Sequence, residues 1–136
     1  MPMLSEERRH NSDRRAKVLM SHELFTLSGN DEVQIIELTL PLNLDASQFD
    51  HLNDTLGQLV NATPDKRWVV DLGRVEYAGS AMLGLLVNLR QRIKQHGSSL
   101  VLCRLSERLQ KTLSTCSLDR LFKTVGSREM AVKVAS

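Results

Sequence analysis

Two runs in this chain, Arg67 to Leu72 (RWVVDL) and Ser99 to Arg104 (SLVLCR), are mostly apolar and too short to be helices. Such runs read as strands covered on both faces, which is the situation in the middle of a parallel sheet. A parallel pair needs a crossover, and the intervening residues supply one. Ser80 to about His96 has helical periodicity from Asn88 onward and is closed by Gly97. The same alternation continues on either side. Upstream, Glu23–Ser28 and Val33–Leu40 flank the turn Gly29-Asn30-Asp31 and read as a hairpin that Pro41 ends. Asp45–Asn61 is an amphipathic helix, with Leu44, Phe49, Leu52, Leu56 and Val60 on one stripe and Asp45 or Asn43 as its cap. Downstream, Ser106 caps a helix to about Cys116, then come a short strand Phe122–Val125 and a short helix Arg128–Val134.

The order β-β-α-β-α-β-α-β-α predicts an α/β fold. Its sheet is expected to have four to five strands, mostly parallel with an antiparallel edge hairpin, packed with about four helices. At 136 residues the chain fits one domain. Residues 1–17 hold five basic and three acidic side chains and read as a flexible charged tail, with the domain over 18–136. That tail has no apolar core of a secretory signal, and the longest apolar run, Ala81–Val87, falls well short of a membrane span. Cys103 and Cys116 are too few and too far apart for a disulfide framework or a zinc site. A cytoplasmic protein with reduced thiols is expected.

Enzyme signatures are missing. Ala78-Gly79-Ser80-Ala81-Met82 lacks the flanking glycines of a nucleophile elbow, and Gly79–Gly84 lacks the lysine of a phosphate loop. His10, His22, His51 and His96 stand apart, and Asp45, Asp50 and Asp54 read as a solvated helix face. We expect no catalysis and no cofactor. No basic stripe marks the folded part as a nucleic-acid surface.

One segment is specific. Strand Trp68–Leu72 carries Asp71 near its end, seven loop residues follow, and Ser80 opens a helix whose first two turns are almost wholly apolar. Two readings of Ser80 stay open: an N-cap on a helix start that the domain covers, or the edge of a docking surface on Met82, Leu83 and Leu86. In the second, a phosphate on Ser80 would add about −1.5 to −2 charge where a helix N-terminus tolerates it and an apolar partner does not.

The run Trp68–Leu86 (WVVDLGRVEYAGSAMLGLL), with Arg90, Gly97, Leu100-Val101-Leu102 and Leu118–Phe122 (LDRLF), resembles a STAS domain of the anti-sigma factor antagonist family. The resemblance implies a partner switch. An unphosphorylated antagonist binds an anti-sigma factor that is a serine kinase, is released when its serine is phosphorylated, and is reset by a serine phosphatase. By position Ser80 matches the phosphoacceptor. Asp71, Tyr77, Gly79, Ala81, Met82, Leu83 and Leu86 are the partner-binding candidates. The sequence departs from the family in having Gly79 where the usual pair has Asp, and Met82 where Gly is usual. The Gly79 departure favours an alternative, a constitutively bound, non-phosphorylated STAS adaptor in a stress-signalling or lipid-transport complex. A homodimer is also open.

Charge is unevenly placed along the chain. Residues 18–79 hold ten acidic and three basic side chains, and residues 80–136 hold three acidic and ten basic. Because elements of an α/β chain interleave, a mixed surface is expected. A separated arrangement would steer oppositely charged partners or favour head-to-tail self-association.

Overall fold

The computed structural model describes residues 24–135, so the expected tail over 1–17 and the domain start at 18 lie outside the described residues. The hairpin pairs β1 (Phe25–Gly29) with β2 (Val33–Leu38), from Phe25 opposite Leu38 to Gly29 opposite Gln34. Its turn is built by Asn30, whose Oδ1 accepts from the backbone N–H of Glu32 and of Val33, both at 2.8 Å. Gly29 sits at φ +124°, and a Cβ there would lie 2.1 Å from the Val33 carbonyl oxygen, so only glycine fits. Strand β2 stops at Leu38, two residues earlier than the pattern predicted.

Three parallel strands follow with their crossover helices. Helix α1 (Ala46–Ala62) precedes β3 (Arg67–Asp71), α2 (Ser80–Gln95) precedes β4 (Leu100–Cys103), and α3 (Glu107–Thr115) precedes β5 (Lys123–Val125). Helix α4 (Arg128–Ala135) ends the described chain. Asp45 caps α1 through a reciprocal pair: it accepts from Gln48 N–H at 2.8 Å, and Gln48 Oε1 accepts from Asp45 N–H at 3.0 Å. Ser106 caps α3 by accepting from Leu109 N–H at 3.1 Å.

The strands lie in the sheet in the order in which they occur in the chain, β1-β2-β3-β4-β5. All three parallel crossovers therefore step in one direction. The right-handedness rule then puts α1, α2 and α3 on the same face. The core agrees: Ile36, Val70 and Leu102 pack with Leu52, Leu56, Leu86, Leu89 and Leu109 from the three helices. Their strand neighbours Ile35, Val69 and Val101 point the other way, onto Ala131 and Ala135 of α4. The result is a layer of three helices, a five-stranded sheet and a single covering helix. The expected fold class, with its antiparallel edge and mostly parallel body, is what the chain adopts.

Candidate partner-binding site

The site starts at Asp71, the last residue of β3, which is wholly buried. Its Oδ1 accepts from Gly73 N–H at 2.9 Å, while Oδ2 accepts from Arg104 Nη1 at 3.1 Å and from Arg128 Nε at 2.9 Å. Glu37 of β2 completes the cluster, accepting from Arg128 Nη2 at 3.0 Å. Burial by itself would raise the Asp71 pKa. The Gly73 amide and the two guanidiniums outweigh it and hold the carboxyl below its ordinary value. The same contact with Asp71 raises the Arg128 pKa further.

Arg104 reaches this position because its backbone turns left-handed, φ +59°, directly after β4. Its guanidinium then lies across Gly73, where a Cβ would come within 2.5 Å of Cζ. Asp71 was expected at the partner surface. The structure instead buries it as the anchor of the loop leading to Ser80, its carboxylate held by these three donors.

The loop is pinned at three further points. Val75 N–H donates to Leu72 O at 3.0 Å, and Val75 and Ala78 are buried. Tyr77 is left outside, with its side chain 49% exposed and the Arg108 guanidinium of α3 5.0 Å from its ring centre.

Gly79, not Ser80, is the N-cap of α2, and it offers no side-chain cap. Ser80 is the first helical residue and is exposed, and its hydroxyl has no hydrogen bond among the described residues. Gly79 adopts φ −88° and ψ −175°, extended backbone open to any residue, so its backbone freedom is not what the position uses. Ala81 is exposed and Leu83 half-buried.

Met82 and Leu86, expected on the docking surface, lie in the core at 1% exposure each. Helix α2 is the middle helix of its layer, with strands beneath and a helix on either side. An apolar start is what such a helix needs for packing alone.

The exposed apolar surface beside Ser80 comes from elsewhere. A concavity of about 230 Å³ is lined by Leu40, Leu42, Leu44, Phe49 and Tyr77, with Gly79 to Ala81 at its rim and Met82 also contributing. Leu42 is 77% exposed. Sequence reasoning missed Leu42, although its signal is an apolar residue between Pro41 and Asn43 in a loop. It also missed Arg108, which no local pattern marks. The remaining chemistry is sparse: His96 bonds Asn61 at 3.0 Å, and among the described residues no three His, Cys, Asp or Glu side chains gather as metal ligands. No helix among the described residues is long and apolar enough to cross a membrane.

The chain is thus a three-layer α/β module that presents an exposed serine hydroxyl beside an apolar hollow. The STAS domain profile matches residues 25–131, and the chain belongs to that family. It is 31% identical over 67 residues to BtrV of Bordetella bronchiseptica, described as a proposed anti-sigma factor antagonist. The match covers 49% of this chain and 58% of that relative, so less than two thirds of the relative's length is spanned.

Among solved structures, an anti-sigma factor antagonist proposed for Thermotoga maritima superposes with TM-score 0.72 at 23% identity, over 85% of this chain and 97% of that one. The Bacillus cell fate determinant SpoIIAA, solved in its phosphorylated form, superposes with TM-score 0.63 at 15% identity, over 82% and 99% respectively. At these identities the superpositions establish the shared fold.

Proposed function

We propose that this chain is a partner-switching regulator of the anti-sigma factor antagonist kind, working in the cytoplasm. Its surface around Ser80 binds an anti-sigma factor that is also a serine kinase. Phosphorylation of Ser80 ends the complex, and a serine phosphatase restores it. The observation that carries this reading is the Ser80 hydroxyl: exposed, free of hydrogen bonds among the described residues, and at the first position of a helix beside an apolar hollow. A phosphate there meets the free amides of the first turn, so the fold tolerates it. A partner lying on Tyr77, Ala81, Leu83 and Leu42 would have to desolvate that charge. Met82 and Leu86 act from beneath, holding α2 in place.

The test is intact-mass analysis and peptide mapping of protein from its native cells, paired with capture of partners on wild type and Ser80→Ala. Phosphate on Ser80, together with an ATP-binding partner retained by Ser80→Ala and lost from the phosphorylated form, is the expected result. A Ser80 never phosphorylated, with Ser80→Ala behaving as wild type, would leave the second reading, a constitutively bound STAS adaptor in a stress-signalling or lipid-transport complex. Gly79 favours that second reading, because it removes a carboxylate that helps position a kinase or its metal–nucleotide.

A further inference from the structure

The hollow beside Ser80 lies where the first described residues enter the fold. Phe25 opens β1 opposite Leu38, and the Leu24 carbonyl accepts from Thr39 N–H at 2.7 Å. The chain before Leu24 therefore arrives at the end of the sheet where β2 runs on into Leu40, which lines the hollow. Because β2 and β3 are parallel, the loop from β3 to Ser80 leaves from that same end.

Residues 1–23 precede this entry point and lie outside the described residues. The apolar run among them nearest to Leu24 is Val18-Leu19-Met20, which follows the basic Arg14, Arg15 and Lys17. Met20 is four residues from Leu24 and Leu19 five, so an extended chain carries them up to about 13–18 Å. Leu40 lies within that reach, since it follows directly on the residue bonded to Leu24. The hollow holds about 230 Å³, and Leu42 and Tyr77 in its wall are well exposed. A cavity of about 150 Å³ already takes a benzene-sized molecule, so a leucine or methionine side chain fits.

We infer that the segment Val18-Leu19-Met20 turns back on its own chain and seats Leu19 and Met20 in the hollow, against Leu40, Leu42, Phe49 and Tyr77, as a removable cover beside Ser80. Two observations select this occupant over a second copy or a separate protein. The segment enters the fold beside the hollow. So short a tether also holds it there at an effective concentration of about millimolar, which populates a contact too weak to form between molecules. What it removes from water on both sides is apolar surface. The seating needs no phosphorylation. Its consequence rests on the partner-switching reading: a partner or kinase reaches Ser80 only after displacing the cover, so the site's apparent affinity falls with the fraction of molecules that are covered.

Thiol labelling of the full chain tests it. Ala81→Cys places a probe at the rim of the hollow and Cys116→Ser removes the exposed native thiol, while buried Cys103 reports on the fold in the same sample. Adding Leu19→Asp/Met20→Asp is expected to speed labelling of the probe at least about fivefold, because a carboxylate does not enter an apolar hollow. Cys103 should stay unlabelled, and the rates should not change on dilution. Equal rates with and without the two aspartates would overturn the inference. So would protection that fades on dilution, which makes a second copy the occupant, or labelling of Cys103 as well, which puts Leu19 and Met20 in the core. Capture of an ATP-binding partner separates the cover from the switch, and where both hold Leu19→Asp/Met20→Asp retains more of that partner than wild type. Protection with no such partner captured leaves the cover standing and removes the switch. A partner released by phosphate on Ser80, without protection, does the reverse.

Discussion

Asp71 has exchanged water for three donors, and that exchange is measurable. Asp71→Asn keeps the shape and removes the charge, leaving Arg104 and Arg128 half-exposed and able to turn to solvent. A loss of about 1.5–3 kcal/mol in urea unfolding at pH 7 is expected, the range for hydrogen bonds to a charged group. The pKa is lowered in the folded state, so the carboxylate's contribution is complete above the unfolded value, about 4, and disappears as pH falls through the folded one. The stability difference between wild type and Asp71→Asn should therefore begin to shrink as pH falls below about 4 and vanish only below the lowered folded value. The two cysteines part company in the same way. Cys103 is buried, and burial, with Asp71 nearby, pushes its pKa up to about 11, whereas Cys116 is exposed. A thiol reagent at neutral pH should label Cys116 in the native protein and Cys103 only after unfolding, read by mass spectrometry. At this scale the sequence marked Asp71 and Ser80 by their places on strand and helix. The partners of Asp71 were hidden, because Arg104 and Arg128 lie 33 and 57 residues away.

Helix ends decide much of what the elements do. Asp45→Ala removes one half of the reciprocal cap on α1 and should cost about 0.5–2 kcal/mol in the same unfolding assay. At the start of α2 the expected sign is opposite. Gly79→Asp supplies the capping side chain that is missing, and its Cβ would meet only the Tyr77 side chain, no nearer than an ordinary 3.7 Å. A gain of a few tenths of a kcal/mol is expected, with no loss of fold. Met82→Asp is a different kind of change: it places a carboxylate in the core and should unfold the domain, so it cannot report on docking. Element types were legible from period and punctuation, down to Ser106 as a cap and Gly97 at a helix end. The face of α2 was not. An apolar start reads the same whether its cover is a partner or two neighbouring helices, and only the assembled layer separates the two.

At the scale of the molecule, sequence patterns announced a mixed sheet but not its strand order. Crossover rules fix handedness and leave open which edge each new strand joins. That order is the order of the chain itself. The same monotonic order bears on how the chain is made. As synthesis proceeds, each strand from β2 onward emerges to find its neighbour already extruded and waiting at the growing margin, so no segment has to be held in reserve for a later one. The exception comes at the end: Arg104 and then Arg128 are the last to leave the ribosome among the groups that neutralise Asp71, and the loop before Ser80 becomes fully anchored only when α4 arrives. A chain ending before Arg128 would lack the last donors to Asp71 and leave the loop before Ser80 less firmly held.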